Sequence, residues 1–140
     1  MDTNVLVHLV RGKAAAKWIN EEFGLPRRPD RPLCSVVSVG EALHLAARNN
    51  WSEARRDRLK EVLRNLVVIQ LGARGVVDSY ARLGVHAEGA GRRMEQNDLW
   101  IAATAAATTS ILLTTDMGFD VLHPSHLERI YIDPKSLPRE

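Results

Sequence analysis

The stretch from Glu95 to Asp120, EQNDLWIAATAAATTSILLTTDMGFD, constrains the fold more than any other part of the chain. After Gln96-Asn97-Asp98 comes an alanine-rich apolar segment, Leu99 to Ala107, of helix-forming composition, which breaks at Thr108-Thr109-Ser110. Ile111-Leu112-Leu113 is too short for a helix and suits a buried parallel strand. That run ends in Thr114-Thr115-Asp116. The unit reads carboxylate, helix, strand, carboxylate. In an open α/β sheet, ligands collect beyond the carboxyl ends of the strands. Asp116 stands at that edge, and Asp98 at a helix start can reach it.

The remaining segments repeat the alternation. Leu33 to Val37 and Val67-Val68-Ile69 read as buried strands, and Arg129 to Ile132 as a last strand. Apolar residues at helical spacing predict helices over Ala14–Phe23, from Ser38 to about Asn49, from Ser52 to about Asn65, and from about Ala73 to His86. Gly84 weakens the last turn of that fourth helix. Val5 to Val10 fits strand or helix. The segment 25–32, with three prolines and three arginines, is expected to be an exposed loop, and Gly89 to Arg93 a flexible basic one. A turn or short helix follows Phe119 and closes at Pro124. Strands alternating with helices predict a three-layer α/β domain, a central parallel sheet with helices on both faces, over residues 1–133. A frayed tail is expected over 134–140.

A chain of 140 residues, 45% hydrophobic and 26% charged, can bury one ordinary core. No apolar run approaches a membrane span. Met1 is followed at once by Asp2, with no secretory pattern, and the one cysteine, Cys34, cannot pair within the chain. The expected location is a reducing cytoplasm. A net charge of +2 permits nucleic-acid binding without arguing for it.

Four acids share the strand-end context: Asp2, Glu41, Asp98 and Asp116. Each has an ordinary reading. Ser38 and Glu41 match a capping box. Asp98 can cap its helix or favour its dipole, and Asp116 and Asp2 can start turns. Together they are harder to explain away. Acids gathered on one sheet edge repel one another and rise in pKa unless a cation sits among them. Oxygen donors without paired His or Cys select Mg²⁺ or Mn²⁺ over zinc.

These residues also carry a resemblance. Asp2-Thr3-Asn4, the run Ser35 to Glu41, Asn97-Asp98-Leu99-Trp100-Ile101-Ala102-Ala103, and Leu113-Thr114-Thr115-Asp116 with Phe119 resemble, in order and spacing, the motifs of PIN-domain nucleases. Within that family the chain looks like the VapC-like toxins of toxin–antitoxin pairs. The resemblance covers nearly the whole length. It implies Mg²⁺- or Mn²⁺-dependent cleavage of RNA, a cognate antitoxin and a homodimer. It makes Asp2, Glu41, Asp98 and Asp116 the metal-site acids, with Asn4 and Thr114 as polar supports; Asp120 is the weaker candidate. One departure stands out: the family places a hydrophobic strand before its first Asp, and here only Met1 precedes Asp2. The expectation is a native start upstream.

Acids that receive a polyanion need nearby cations. Arg92 and Arg93, in the loop before Asp98, are candidates for contacting phosphate, as are Arg27, Arg28 and Arg31. Arg48, Arg55, Arg56, Arg58, Lys60 and Arg64 give two helices a basic bias, although Glu53, Asp57 and Glu61 interleave there. His8, His44 and His86 show no metal-ligand spacing and read as packed or surface residues. Two other functions compete. One is a PIN-like binding module without catalysis, which need not bind Mg²⁺ or Mn²⁺. The other is a phosphoryl-transfer enzyme with a nucleophilic Asp, which lacks its second opening acid and its supporting lysine here.

Overall fold

The computed structural model describes residues 1–139. Among the described residues, six helices and four short strands follow one another, the helices mostly in pairs between strands. Helix α1 spans Thr3–Arg11 and α2 Ala14–Glu22; a 3-10 turn, Leu25–Arg27, leads into strand β1, Leu33–Ser35. Helix α3, Val36–Arg48, and α4, Glu53–Arg64, precede β2, Val67–Ile69. Helix α5, Val76–Gly89, α6, Gln96–Ala107, and β3, Leu112–Thr114, follow. A 3-10 segment, Met117–Leu122, and β4, Arg129–Tyr131, end the series.

Every strand pairing is parallel, with β1 on β2 and β3 on β4. The central layer is thus two strand pairs, and the start of the chain joins them. The amino group of Met1 donates to the Leu33 carbonyl (3.0 Å), and the Asp2 amide donates to the Leu113 carbonyl (3.0 Å). Successive residues therefore bond to opposite neighbours, as in a strand lying between β1 and β3. Burial pushes the Met1 amino group below its ordinary pKa. A groove of about 860 Å³ opens between the two pairs, lined by Met1, Leu33, Cys34, Ile101, Leu112 and Leu113 among others.

Side chains alternate across this layer with the two-residue period of strands. Leu112 packs with Val76, Leu83, Leu99 and Ile101 of α5 and α6, while Leu113 packs with Val5, Leu9 and Ile19 of α1 and α2. Ile69 joins the first group and Val68 a third, formed by α1, α3 and α4 around Leu6, Ala42 and Leu59. Helices therefore cover both faces. Cys34 is a buried core residue. Trp51 is also buried, and Trp100 stacks on Tyr80.

Where Val5–Val10 was open between strand and helix, the chain is helical. Asp2 caps it through a bond from the Val5 amide to Oδ1 (2.9 Å), and Gly12 ends it at φ 68°. A β-carbon at Gly12 would run into the Arg58 guanidinium. Gly12→Ala is expected to cost about 1–2 kcal/mol from the left-handed φ alone. Urea denaturation at constant m would show it.

Four other expectations change. The cap of α3 is Ser35, which accepts from the Val37 amide (3.1 Å), so the Ser38–Glu41 capping box does not form. Strand β1 ends two residues earlier than expected for the same reason. Helix α5 starts and ends three residues late and passes through Gly84 unbroken. A β-carbon there would stand 3.3 Å from Leu99 Cδ2, so the missing side chain is what lets α6 approach. The tail does not fray from Pro134 on: Leu137 is buried with Val5, Ile19 and Ile132, and the Ser136 amide bonds the Asp133 carbonyl (3.0 Å). The end of that expected tail, Glu140, lies outside the described residues.

Candidate active site

Four separate segments deliver the predicted acids to one open cleft of about 360 Å³. Asp2, Glu41, Asp98 and Asp116 line it together with Thr3, Asn4, His44, Arg48, Glu95 and Asn97. Asp2 arrives on the N-terminus of α1, Glu41 on the second turn of α3, Asp98 on the first turn of α6, and Asp116 just after β3. The sheet edge thus gathers what the sequence spaced apart.

Three of the acids do the ordinary structural work as well. Asp2 is buried. Its Oδ1 caps α1, and its Oδ2 accepts a short bond from the Thr114 hydroxyl. Burial raises the Asp2 pKa, opposed by the Thr114 and Val5 donors. Thr114 is fully buried and also accepts from the Asp116 amide (2.9 Å). Asp116 Oδ1 in turn accepts from the Gly118 amide (2.7 Å), capping the 3-10 segment. Glu41 Oε1 accepts from the Thr3 hydroxyl (2.6 Å), which also reaches the buried Ser38 (3.1 Å).

Asp98 differs from the other three. Glu95 occupies the N-cap position of α6, and no side-chain cap bond is made there. Among the described residues no hydrogen-bond donor reaches the Asp98 carboxyl. Burial first, then the charges of Asp116, Glu95, Glu41 and Asp2, push its pKa up to about 6. The capping reading of Asp98 therefore fails, and its position in the first turn leaves only the helix dipole in its favour.

No three His, Cys, Asp or Glu side chains among the described residues are grouped tightly enough to hold an ion as they stand. The donor set nevertheless fits a hard dication: its acidic ligands are carboxylate oxygens, and Asp98 has no competing protein donor.

Sequence reasoning singled out the acids, Asn4 and Thr114. Asn4 is exposed and lines the cleft; Thr114 lies beneath it. Arg92 and Arg93 are exposed in the loop before α6 and are not among the cleft-lining residues. Asp120 lies elsewhere, paired with Arg129 (2.9 Å). Thr3 and Glu95 were missed as site residues; Arg48 was named only within the basic cluster of two helices, ranked below Arg92 and Arg93 for phosphate; and His44, read as a packed or surface histidine, is a surface one that also lines the cleft. Thr3 and Glu95 stand beside quoted motif residues, so proximity in sequence could have found them. Arg48 carries the i, i+7 relation to Glu41, a signal that becomes specific only once that helical face is known.

The α/β fold and its acid-lined cleft at the strand ends accompany a sequence match: residues 1–123 match the PIN domain. The chain belongs to the PIN-domain family. Within it, the chain is 35% identical over 96 residues to Ribonuclease VapC5 of Mycobacterium tuberculosis, covering 67% of this chain and 70% of that protein. Its structure is similar to VapBC2 from Rickettsia felis bound to a promoter DNA fragment, with a TM-score of 0.77, 22% identity and coverage of 94% and 96%. VapBC-1 of Haemophilus influenzae gives a TM-score of 0.72 at 21% identity, with coverage of 93% and 94%.

Proposed function

We propose that this chain is an endoribonuclease that hydrolyses RNA phosphodiester bonds with Mg²⁺ or Mn²⁺, and that it is the toxin of a toxin–antitoxin pair. The observation that carries the reading is the convergence of Asp2, Glu41, Asp98 and Asp116 on one cleft. The likeness to a protein named as a ribonuclease supports it. The likeness to VapBC assemblies supports a cognate antitoxin as partner, with a homodimer as the expected assembly. No described helix is long and apolar enough to cross a membrane, which agrees with a cytoplasmic site of action.

Asp98 and Asp116 would hold the ion most directly, with Glu41 and Asp2 ligating it or orienting its waters. A bound dication would polarise the phosphate and acidify water. The chain's own part is positioning. Thr3 fixes the Glu41 carboxyl, Thr114 fixes Asp2 and the turn that carries Asp116, and Asp98, with no donor among the described residues, keeps its oxygens available to an ion. Arg92 and Arg93 would meet RNA outside the cleft.

Binding must displace the proton that Asp98 holds below about pH 6. Mn²⁺ should raise the melting temperature at pH 7.5, and its apparent affinity should weaken about tenfold per unit as pH falls below about 6. Differential scanning fluorimetry at several pH values measures this. A melting temperature that ignores Mn²⁺ at pH 7.5 would favour a binding module without catalysis. The direct test is cleavage of a fluorescent single-stranded RNA with and without EDTA; activity that persists in EDTA sinks the proposal.

A further inference from the structure

We propose that Arg48 is the phosphate-gripping residue of the cleft, holding an RNA phosphate next to the one being cleaved. This rests on the nuclease reading of the same site. A cleft that presents Asp2, Glu41, Glu95, Asp98 and Asp116 repels a polyanion, and a single dication cancels only part of that charge. Arg48 is the one permanently charged cation among the described residues that line it.

Three features suit it to the task. Arg48 is exposed, and among the described residues its guanidinium has neither an ion pair nor a hydrogen bond, so all of its donors are available. This contrasts with Arg58, which reaches the Leu9 carbonyl, Arg31, which bonds the Arg64 carbonyl, and Arg129, which pairs with Asp120. A planar guanidinium matches two phosphate oxygens at once. The side chain also lies at a fixed offset from the chemistry. Glu41, His44, Leu45 and Arg48 follow one face of α3, and all four line the cleft. Two turns of helix put Arg48 roughly 10 Å along the axis from Glu41. Arg48 thus enters the cleft from the end of the row opposite Glu41, where a phosphate neighbouring the scissile one would lie.

The competing explanation is that Arg48, in the last turn of α3, serves only the helix dipole. A dipole role would leave RNA affinity alone and would be met equally by lysine. The two separate in steady-state kinetics on a short single-stranded RNA of mixed sequence in Mn²⁺. Arg48→Ala should raise KM about tenfold, the scale of one lost charge-assisted contact, with kcat within about twofold of wild type. The slope of log KM against log salt should fall by about 0.7, one phosphate contact on a single strand. Arg48→Lys should recover part of the KM loss. Lys17→Ala, on the exposed Lys17–Glu21 pair of α2, is the control and should match wild type. Unchanged KM and salt slope in a folded Arg48→Ala protein overturn this inference and leave the nuclease reading standing. Wild-type protein that fails to cleave RNA in Mn²⁺ takes both down.

Discussion

Asp98→Asn is expected to abolish metal-dependent RNA cleavage while leaving the protein folded and, without metal, slightly more stable. The substitution keeps the size and shape of the side chain and removes its charge. Removing one preorganised electrostatic contributor from a reacting centre costs on the order of 10²–10³-fold in rate, and the loss of an anionic ligand belongs at the upper end. The stability effect has the opposite sign because burial strips the Asp98 charge of hydration with no donor in return, and Asp116, Glu95, Glu41 and Asp2 repel it. Its folded pKa of about 6 lies above the unfolded value. The stabilisation this group contributes is therefore full below the unfolded pKa of about 4 and is lost as pH rises through 6. At pH 7 in EDTA the wild type carries the repulsion and the Asn variant does not. Because the side chain is only half-buried, solvent screening reduces the gain to about 1 kcal/mol. Full cleavage by the variant would contradict the site; an unfolded variant would contradict its structural neutrality.

Thr114→Val is expected to damage both stability and activity, although it barely changes volume. Thr114 is fully buried, donates to Asp2 Oδ2 and accepts from the Asp116 amide. Valine deletes both bonds at once. The buried Asp2 carboxylate then loses a donor that offsets its desolvation, and the Asp116 amide loses its acceptor. Each stranded buried group costs about 1–3 kcal/mol, so a loss of about 2–4 kcal/mol is expected from urea denaturation at pH 7. Cleavage should fall with it, since the same hydroxyl positions two of the four acids. Thr114→Ser keeps the hydroxyl and should recover most of both losses. A valine variant as stable as wild type would show that the hydroxyl is dispensable.

These variants illustrate how much of the site was readable in one dimension. The stretch from Asp98 to Asp116 was legible because its signals are local: an alanine-rich helix, a polar break and a three-residue apolar strand. The helix end at Ala107 agrees and β3, Leu112–Thr114, is shifted by one residue, while α6 starts at Gln96, three residues before the apolar segment, because the polar trio forms its first turn. The start of α3 was misread because Ser35 and Ser38 offer the same capping chemistry three residues apart. The choice between them lies outside the segment: Thr3 of α1 engages Ser38 and Glu41, and Ser35 is left to cap. Gly84 misled for a similar reason. Its low helix propensity is a local penalty, while the contact it permits with Leu99 is a tertiary one.

Sequence alone determined which residues carry negative charge, which segments are helical or extended everywhere but Val5–Val10, and the order in which strand ends deliver acids. Those properties follow from side-chain chemistry and short-range periodicity, which need no knowledge of distant residues. Only the tertiary structure decided that Asp2, Glu41, Asp98 and Asp116 line one cleft, that Asp98 alone lacks a donor, and that Arg48 rather than Arg92 or Arg93 lines it with them. Those outcomes depend on how helices rotate as their apolar faces pack against the strands, and packing joins residues as far apart as Asp2 and Thr114.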